Sequence, residues 1–319
     1  MEDIAIIKGD FIEKSTDFSE LSSAIQKGFA SSKMLIPTRH HHNFPNPTVD
    51  TDSTLLLMPA WNPSKSAGVK MVTINPENGQ FNLPSIQGTY IYFDATTGIL
   101  KSILEAKSLT AKRTAATSAL ASSYLSNQDS SSLLMIGTGS LSTNLIKAHA
   151  TVRPIKNVFV WGRNFEKAEH VAEQLKDEEF SITPIHKIKD KISEVDIISC
   201  ATLSKTPLVL GEFLRDGQHI DLVGAYNSSM RESDDQTILR ASIFVDSFDG
   251  ALKEGGDIVI PIQHGILKES DIKADLFELC ANKKLGRTHS KEITLFKSVG
   301  HALEDLVAAD YYYQKFTTP

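Results

Sequence analysis

The chain has 319 residues, 41% of them hydrophobic and 23% charged, which is the balance of a globular protein and excludes a disordered or fibrous one. Lys and Arg number 33 against 39 Asp and Glu, so a net charge of −6 offers no general attraction to nucleic acid or anionic lipid. No apolar run approaches the ~18 residues of a membrane span, and the opening MEDIAIIKGD lacks the basic and long apolar regions of a secretory signal. With Cys200 and Cys280 far apart in apolar surroundings, these features predict a cytoplasmic protein of two domains with two buried thiols.

In the first hundred residues, Pro37, Pro45, Pro47, Pro59, Pro63, Pro76 and Pro84 interrupt short apolar runs such as STLLLMP, GVKMVTI and TYIYFD. Proline at that density argues against long helices and predicts turns between antiparallel strands. The edges of such a meander need cover, and a second copy of the chain is the expected one. His40, His41 and His42 would alternate faces in an extended segment, with no Asp or Cys nearby to complete a ligand set, so no metal is expected.

Residues 107–125, KSLTAKRTAATSALASSYL, predict an alanine-rich helix with Leu109, Arg113, Ala116, Leu120 and Tyr124 along one stripe. A guanidinium on an apolar stripe needs either a structural carboxylate or an anionic ligand. Lys70 shares a strand face with Val72 and Ile74, and Arg39 follows LIPT. Singly, each reads as a structural or snorkelling cation; as a set with Arg113 they predict a carboxylate-binding pocket.

From about 131 to 247, short apolar runs alternate with polar helical segments, the pattern of a doubly wound parallel sheet. Strands are predicted at 132–137, 157–162, 181–186, 196–202, 219–224 and 242–247. Between them, EKAEHVAEQLKD repeats Ala168, Val171, Ala172 and Leu175 at helical steps. In LLMIGTGSLSTNLIKAHA, Gly137, Thr138, Gly139, Ser140 and Leu141 stand between the first strand and the first helix, where glycines let backbone N–H groups approach a pyrophosphate. Ser142 replaces the usual Gly or Ala at the third position, at a small expected loss of packing. The second strand ends VFVWGRN, and Gly162, Arg163 and Asn164 include no carboxylate to repel a 2′-phosphate; NADPH is therefore the expected cofactor, with NADH possible. Thr114, Ala201, Thr202, Leu203, Val223 and Gly224 are expected to complete the cofactor site. Beyond residue 290, ITLFKSVGHALEDLVAADYYYQKF predicts a helix with Val299, Leu303, Leu306, Val307 and Tyr311 on one side, docked on the first domain, and Tyr311, Tyr312 and Tyr313 used in packing.

LIPTRHH, LLLMPAW, VKMVTINPENG, LTAKRTAATSALA, MIGTGSLS, VFVWGRN, VDIISCATLSKTPLV, HIDLVGAYNSSMRE, VDSFDGALKEGGD and FKSVGHALEDLVAA occur in this order along nearly the whole chain. The sequence thereby resembles the ornithine cyclodeaminase and mu-crystallin family. The resemblance implies an α/β homodimer: a Rossmann-type doubly wound NAD(P)-binding domain, 113–301, inserted into a smaller α+β substrate-binding and dimerisation domain, 1–112 with 302–319. It also places the substrate-carboxylate ligands at Arg39, Lys70 and Arg113. Cyclodeaminases carry an aspartate two residues after the glycine of the HIDLVG-like strand; Tyr226 stands there, and a phenol with a reference pKa near ~10 is no substitute for a carboxylate base at neutral pH.

The chain thus looks like a reductase of Δ1-pyrroline-2-carboxylate or Δ1-piperideine-2-carboxylate, giving L-proline or L-pipecolate. Lys70, Arg113 and Tyr226 are the expected catalytic residues and Trp61 an expected pocket wall. Tyr226 either lies near the ring nitrogen or walls the pocket. An amino-acid dehydrogenase of alanine or opine type, a cyclodeaminase, and a mu-crystallin-like NADPH-dependent binding protein are the alternatives.

Overall fold

The computed structural model describes residues 4–31 and 33–318. Backbone contacts divide the chain into two compact units, Met1–Arg113 with Ala302–Pro319, and Thr114–His301.

The first unit is a six-stranded sheet flanked by helices. Its strands are β1 (Ala5–Ile7), β2 (His40–Phe44), β3 (Ser53–Asn62), β4 (Ser66–Ile74), β5 (Ile86–Asp94) and β6 (Leu100–Glu105), in the order β1-β6-β5-β4-β3-β2. β2 to β6 form the expected antiparallel meander, and β1 pairs parallel to β6. Pro45, Pro47, Pro63, Pro76 and Pro84 fall between strands, where their missing N–H breaks no ladder. Two helices, α1 (Gly9–Ser15) and α2 (Phe18–Ala30), precede the meander and correct the expectation from proline density. That density begins only at Pro37. Upstream, Phe18, Leu21, Ile25 and Phe29 are buried at helical spacing, and the Asp17 carboxylate caps α2 by accepting from the N–H groups of Ser19 and Glu20.

The pleat gives this sheet two different faces. Met58, Lys70, Tyr90 and Leu104 are in register on one face and buried, in the unit that also packs the C-terminal helix Ala302–Thr317 against α2, β3, β4 and β5. The opposite face carries a row of Pro59, Val69, Ile91, Ile103 and Ile6, and beside it Trp61, Ala67 and Phe93. These side chains are half-buried or exposed, where a solvated face of an antiparallel sheet would ordinarily be polar.

In the C-terminal helix, Leu303, Leu306 and Val307 are buried as expected, but Val299 lies before its start and Tyr312, not Tyr311, is enclosed. The reason is local. The Asp246 carboxylate accepts from the Ser298 hydroxyl and the N–H groups of Val299 and Gly300, turning the chain out of the preceding strand before the helix begins at Ala302. Tyr312 shares a hydrogen bond with the Thr16 hydroxyl, and the Tyr311 hydroxyl accepts from the Asp17 N–H.

The second unit is an eight-stranded parallel sheet: β7 (Ser132–Ile136), β8 (Asn157–Trp161), β9 (Ser181–Ile185), β10 (Ile197–Cys200), β11 (His219–Leu222), β12 (Ser242–Val245), β13 (Ile272–Asp275) and β14 (Thr294–Lys297). All six predicted strands are present. β13 was not anticipated, and β14 replaces the helical reading of ITLFK. Both have only four residues, too few to display a period, and β14 is buried along its whole length. The order β13-β12-β14-β11-β10-β7-β8-β9 makes successive connections leave β7 in opposite directions, a reversal that marks the nucleotide crevice of doubly wound sheets.

Helix α3 (Ala106–Leu125) is buried on every side from Ala111 to Leu120 rather than along one stripe, because its Ala, Ser and Thr residues allow neighbours to approach all round. Cys200 and Cys280 are free and buried, as expected. Among the described residues no helix is long and apolar enough to cross a membrane, and no group of three or more His, Cys, Asp or Glu could hold a metal.

Candidate active site

β4 presents Lys70 at its centre, opposite Met58 on β3 and Tyr90 on β5. Lys70 Nζ donates to Asp305 Oδ1 at 3.0 Å and lies 2.8 Å from Oδ2. Arg113 Nε donates to the same Asp305 Oδ1 at 3.0 Å, and its NH1 donates to Glu304 Oε2 at 2.7 Å. All four side chains are buried. Of the two partners expected for the guanidinium, a structural carboxylate or an anionic ligand, the carboxylate is present twice over. Burial pushes the Lys70 ammonium down to about 8, with Arg113 and Arg39 lowering it further against the opposing pull of Asp305. Burial works to raise the Asp305 carboxyl, but Arg113 and Lys70 outweigh it and hold it below the usual range. Arg39 is half-buried just before β2. Two of the three expected cations, Lys70 and Arg113, thus meet at Asp305; the acidic half of the cluster, Glu304 and Asp305, was not anticipated. The signal was in the motif HALEDLVAA, where two carboxylates sit among the apolar positions of one helix.

Trp61 does not join this group. It is opposite Ala67, an odd number of residues from both Met58 and Lys70, so the pleat sends it to the other face of the sheet. The expectation that it walls the same pocket as Lys70 is therefore wrong for this unit.

In the parallel-sheet unit, β7 runs into Gly137 at φ +118°, where a Cβ would stand 2.5 Å from the Ala201 carbonyl oxygen, so this position requires glycine. Nothing lies within 4 Å of where a Cβ on Gly139 would be, which leaves that side of the turn open to a ligand. Ser142 opens helix α4 (Ser142–Val152) and donates its hydroxyl to the Gly139 carbonyl at 2.8 Å, a bond that glycine could not make. Gly162 ends β8 against Thr138. Arg163 is exposed and makes no ion pair among the described residues. Asn164 is exposed, and its side-chain oxygen caps helix α5 (Phe165–Gln174) by accepting from the Lys167 N–H. Leu203 is exposed, while Thr114 and Val223 are buried. Tyr226 follows β11 and is 36% exposed, its N–H bonded to the Gly224 carbonyl. The glycine turn, the open position at Gly139 and the carboxylate-free end of β8 fit a dinucleotide.

A second buried charge cluster escaped sequence reasoning. Glu232 Oε1 accepts from the Thr202 N–H and hydroxyl, and Oε2 from the N–H groups of Gly224 and Ala225. One carboxylate thus ties together the chain leaving β10 and the chain leaving β11. Asp257 Oδ1 accepts from the N–H groups of Glu232 and Ser233. Lys297 Nζ is 3.2 Å from Asp257 Oδ2 and 4.0 Å from Glu232 Oε2, near enough for charge attraction but not aligned as a hydrogen bond. Burial raises the Glu232 carboxyl above its usual range, with Lys297 opposing.

Residues 5–318 match the family model described as the ornithine cyclodeaminase/mu-crystallin family. The chain belongs to that family. It is 40% identical to Protein SAR DEFICIENT 4 of Arabidopsis thaliana, covering 90% of this chain and 89% of the relative. It is 37% identical to the Delta(1)-pyrroline-2-carboxylate reductase of Colwellia psychrerythraea over 97% of this chain and 98% of that one. Among solved structures, the Delta(1)-pyrroline-2-carboxylate reductase of Thermococcus litoralis, in complex with NADH and L-proline, superposes with a TM-score of 0.91 at 32% identity, covering 98% of this chain and 97% of the other. The Rossmann-type α/β fold with its smaller α+β part agrees with the reading from sequence.

Proposed function

We propose that this chain is an NAD(P)H-dependent reductase of cyclic ketimine carboxylates, converting Δ1-pyrroline-2-carboxylate or its six-membered homologue to the cyclic amino acid. The observation that carries this reading is the full-length likeness to a reductase captured with NADH and L-proline. A reduced nicotinamide, when bound, supplies the hydride for the imine carbon. Gly137, Thr138, Gly139, Ser140 and Leu141 would hold its pyrophosphate, with Thr114, Gly162, Ala201, Thr202, Val223 and Gly224 contributing further contacts. Arg39, Lys70 and Arg113 receive the substrate carboxylate through charge-assisted bonds and so fix the carbon it is attached to. The ring nitrogen carries a proton from solution, and the C=N electron pair passes to that nitrogen as the hydride arrives, discharging the iminium.

Arg163 at the carboxylate-free end of β8 favours NADPH over NADH. Arg163→Ala should narrow that preference several-fold through the cofactor KM, and wild-type kcat/KM values equal for the two cofactors would remove the role. The apolar outer face of the antiparallel sheet supports a homodimer, testable by sedimentation velocity. For the activity itself, NADPH oxidation should be followed with Δ1-pyrroline-2-carboxylate and its six-membered homologue, then with pyruvate plus ammonia, then with L-ornithine and oxidised cofactor. Turnover of the imines alone is expected, because Tyr226 cannot serve an ornithine amine as a carboxylate would. Robust proline formation from ornithine would overturn the reductase reading.

A further inference from the structure

We propose that Asp305 is a positioning residue for the substrate carboxylate, binding Lys70 and Arg113 into one rigid cationic unit. The inference deepens the reductase reading and rests on it. One oxygen, Asp305 Oδ1, accepts from Lys70 Nζ and Arg113 Nε, each at 3.0 Å. Lys70 comes from mid-strand β4, Arg113 from α3 and Asp305 from the first turn of the C-terminal helix, so three separate elements meet at one carboxylate. A lysine ammonium has three donors, and the Asp305 bond uses one of them. Fixing the ammonium by one donor orients the others.

Charge gives the second argument. Asp305 lies against both Lys70 and Arg113, so its negative charge offsets the two cations that it joins. Without it, two cations buried side by side would repel each other, and the free site would suffer for it. Asp305 also keeps Lys70 charged: burial, Arg113 and Arg39 all favour loss of its proton, and Asp305 opposes them. The groups facing Lys70 are Asp305 from the C-terminal helix, Arg113 from α3, Arg39 from the segment before β2, and Tyr90 from β5, whose phenol stays neutral because burial raises it far above neutrality, as does Asp305.

The test is kcat/KM for the cyclic imine across pH in the full-length wild type, Asp305→Asn and Glu304→Gln. Wild-type kcat/KM should fall above about pH 8 as Lys70 loses its proton. In Asp305→Asn that break moves to lower pH and the imine KM rises by about tenfold, a change of ~1.4 kcal/mol, with the NADPH KM unchanged. Glu304→Gln touches only the Arg113 side and leaves the break in place. Should Asp305→Asn fail to fold, Asp305→Glu decides: it keeps the charge but displaces it by one methylene, so the break stays near pH 8 while the imine KM rises. An Asp305→Asn enzyme with unmoved break and KM, or an Asp305→Glu enzyme with wild-type KM, overturns the proposal. Titration of Lys70 is read independently by NMR of lysine labelled at Cε. A wild type inert toward every imine therefore sinks the reductase reading, while an unshifted Lys70 titration in Asp305→Asn sinks this one.

Discussion

In the antiparallel-sheet unit, Lys70 and Arg113 face Glu304 and Asp305; in the parallel-sheet unit, Lys297 faces Glu232 and Asp257. The groups are alike in burial and chemistry but differ in what their carboxylates accept from. Asp305 and Glu304 accept from side-chain cations, whereas Glu232 and Asp257 accept chiefly from backbone N–H groups. Carboxylates satisfied by the backbone fix loops and hold their excess charge within the protein. Lys70, bound to Asp305 through one donor, has others to present to an external anion. The first arrangement builds a scaffold and the second a receptor.

The strongest way to break this contrast is to remove the cation of the scaffold. Lys297→Met leaves Glu232 and Asp257 buried without a counter-charge, and breaking such a pair typically costs ~3–5 kcal/mol, read as a large fall in Tm. The loss should depend on pH with a definite sign. The Glu232 carboxyl is already raised by burial, and removing Lys297, which lowers it, raises it further. A carboxyl raised in the folded state contributes stability that is full below its unfolded value and is lost as pH rises through the folded one. The variant's deficit relative to wild type is therefore largest at neutral and alkaline pH and shrinks on acidification. A pH-independent deficit would mean that lost packing, not charge, is the cause.

In the receptor, Arg113→Lys keeps a positive charge but not the planar fork that reaches Asp305 and Glu304 through separate nitrogens. Loss of charge-assisted bonds worth ~1.5–3 kcal/mol predicts a fall in imine kcat/KM of about ten- to one-hundred-fold. Cofactor binding, measured by NADPH fluorescence, should stay as in wild type. Near-normal turnover would move Arg113 from the receptor to the scaffold.

What was legible in the sequence follows the same division. Periodic features were readable: the alternation of GVKMVTI placed Lys70 on its face, and the glycine turn after β7 announced itself by position. Trp61 was misassigned because a strand register must be known before odd and even residues of two strands can be compared. Val299 was read into a helix because its apolar neighbour spacing extends past the start set by Asp246, which is more than fifty residues away in sequence. Glu304, Asp305, Glu232 and Lys297 escaped because charge pairing across such separations leaves no local period. Glu304, Asp305 and Lys297 stand among apolar residues, where an ionised side chain demands a partner, and that demand could have been raised from sequence although its answer could not; Glu232, between Arg231 and Ser233, gave no such signal.

The subtlest test distinguishes the two carboxylate roles within a single substitution. Glu232 uses both oxygens, one toward the chain leaving β10 and the other toward the chain leaving β11. Gly224 allows this closeness, since a Cβ there would lie 2.4 Å from Glu232 Oε1 and 2.1 Å from the Thr202 carbonyl oxygen. Glu232→Gln preserves shape but turns one acceptor into a donor, so one of the two chains loses its anchor. Thr202 and Gly224 are among the proposed cofactor contacts, and a loss of ~1 kcal/mol there predicts a rise of about fivefold in the cofactor KM. The imine KM should change little, the reverse of the pattern expected for Asp305→Asn. If instead both variants raised the same KM, the division into a scaffold cluster and a receptor cluster would fail, and the two buried charge groups would have to be treated as parts of one binding site.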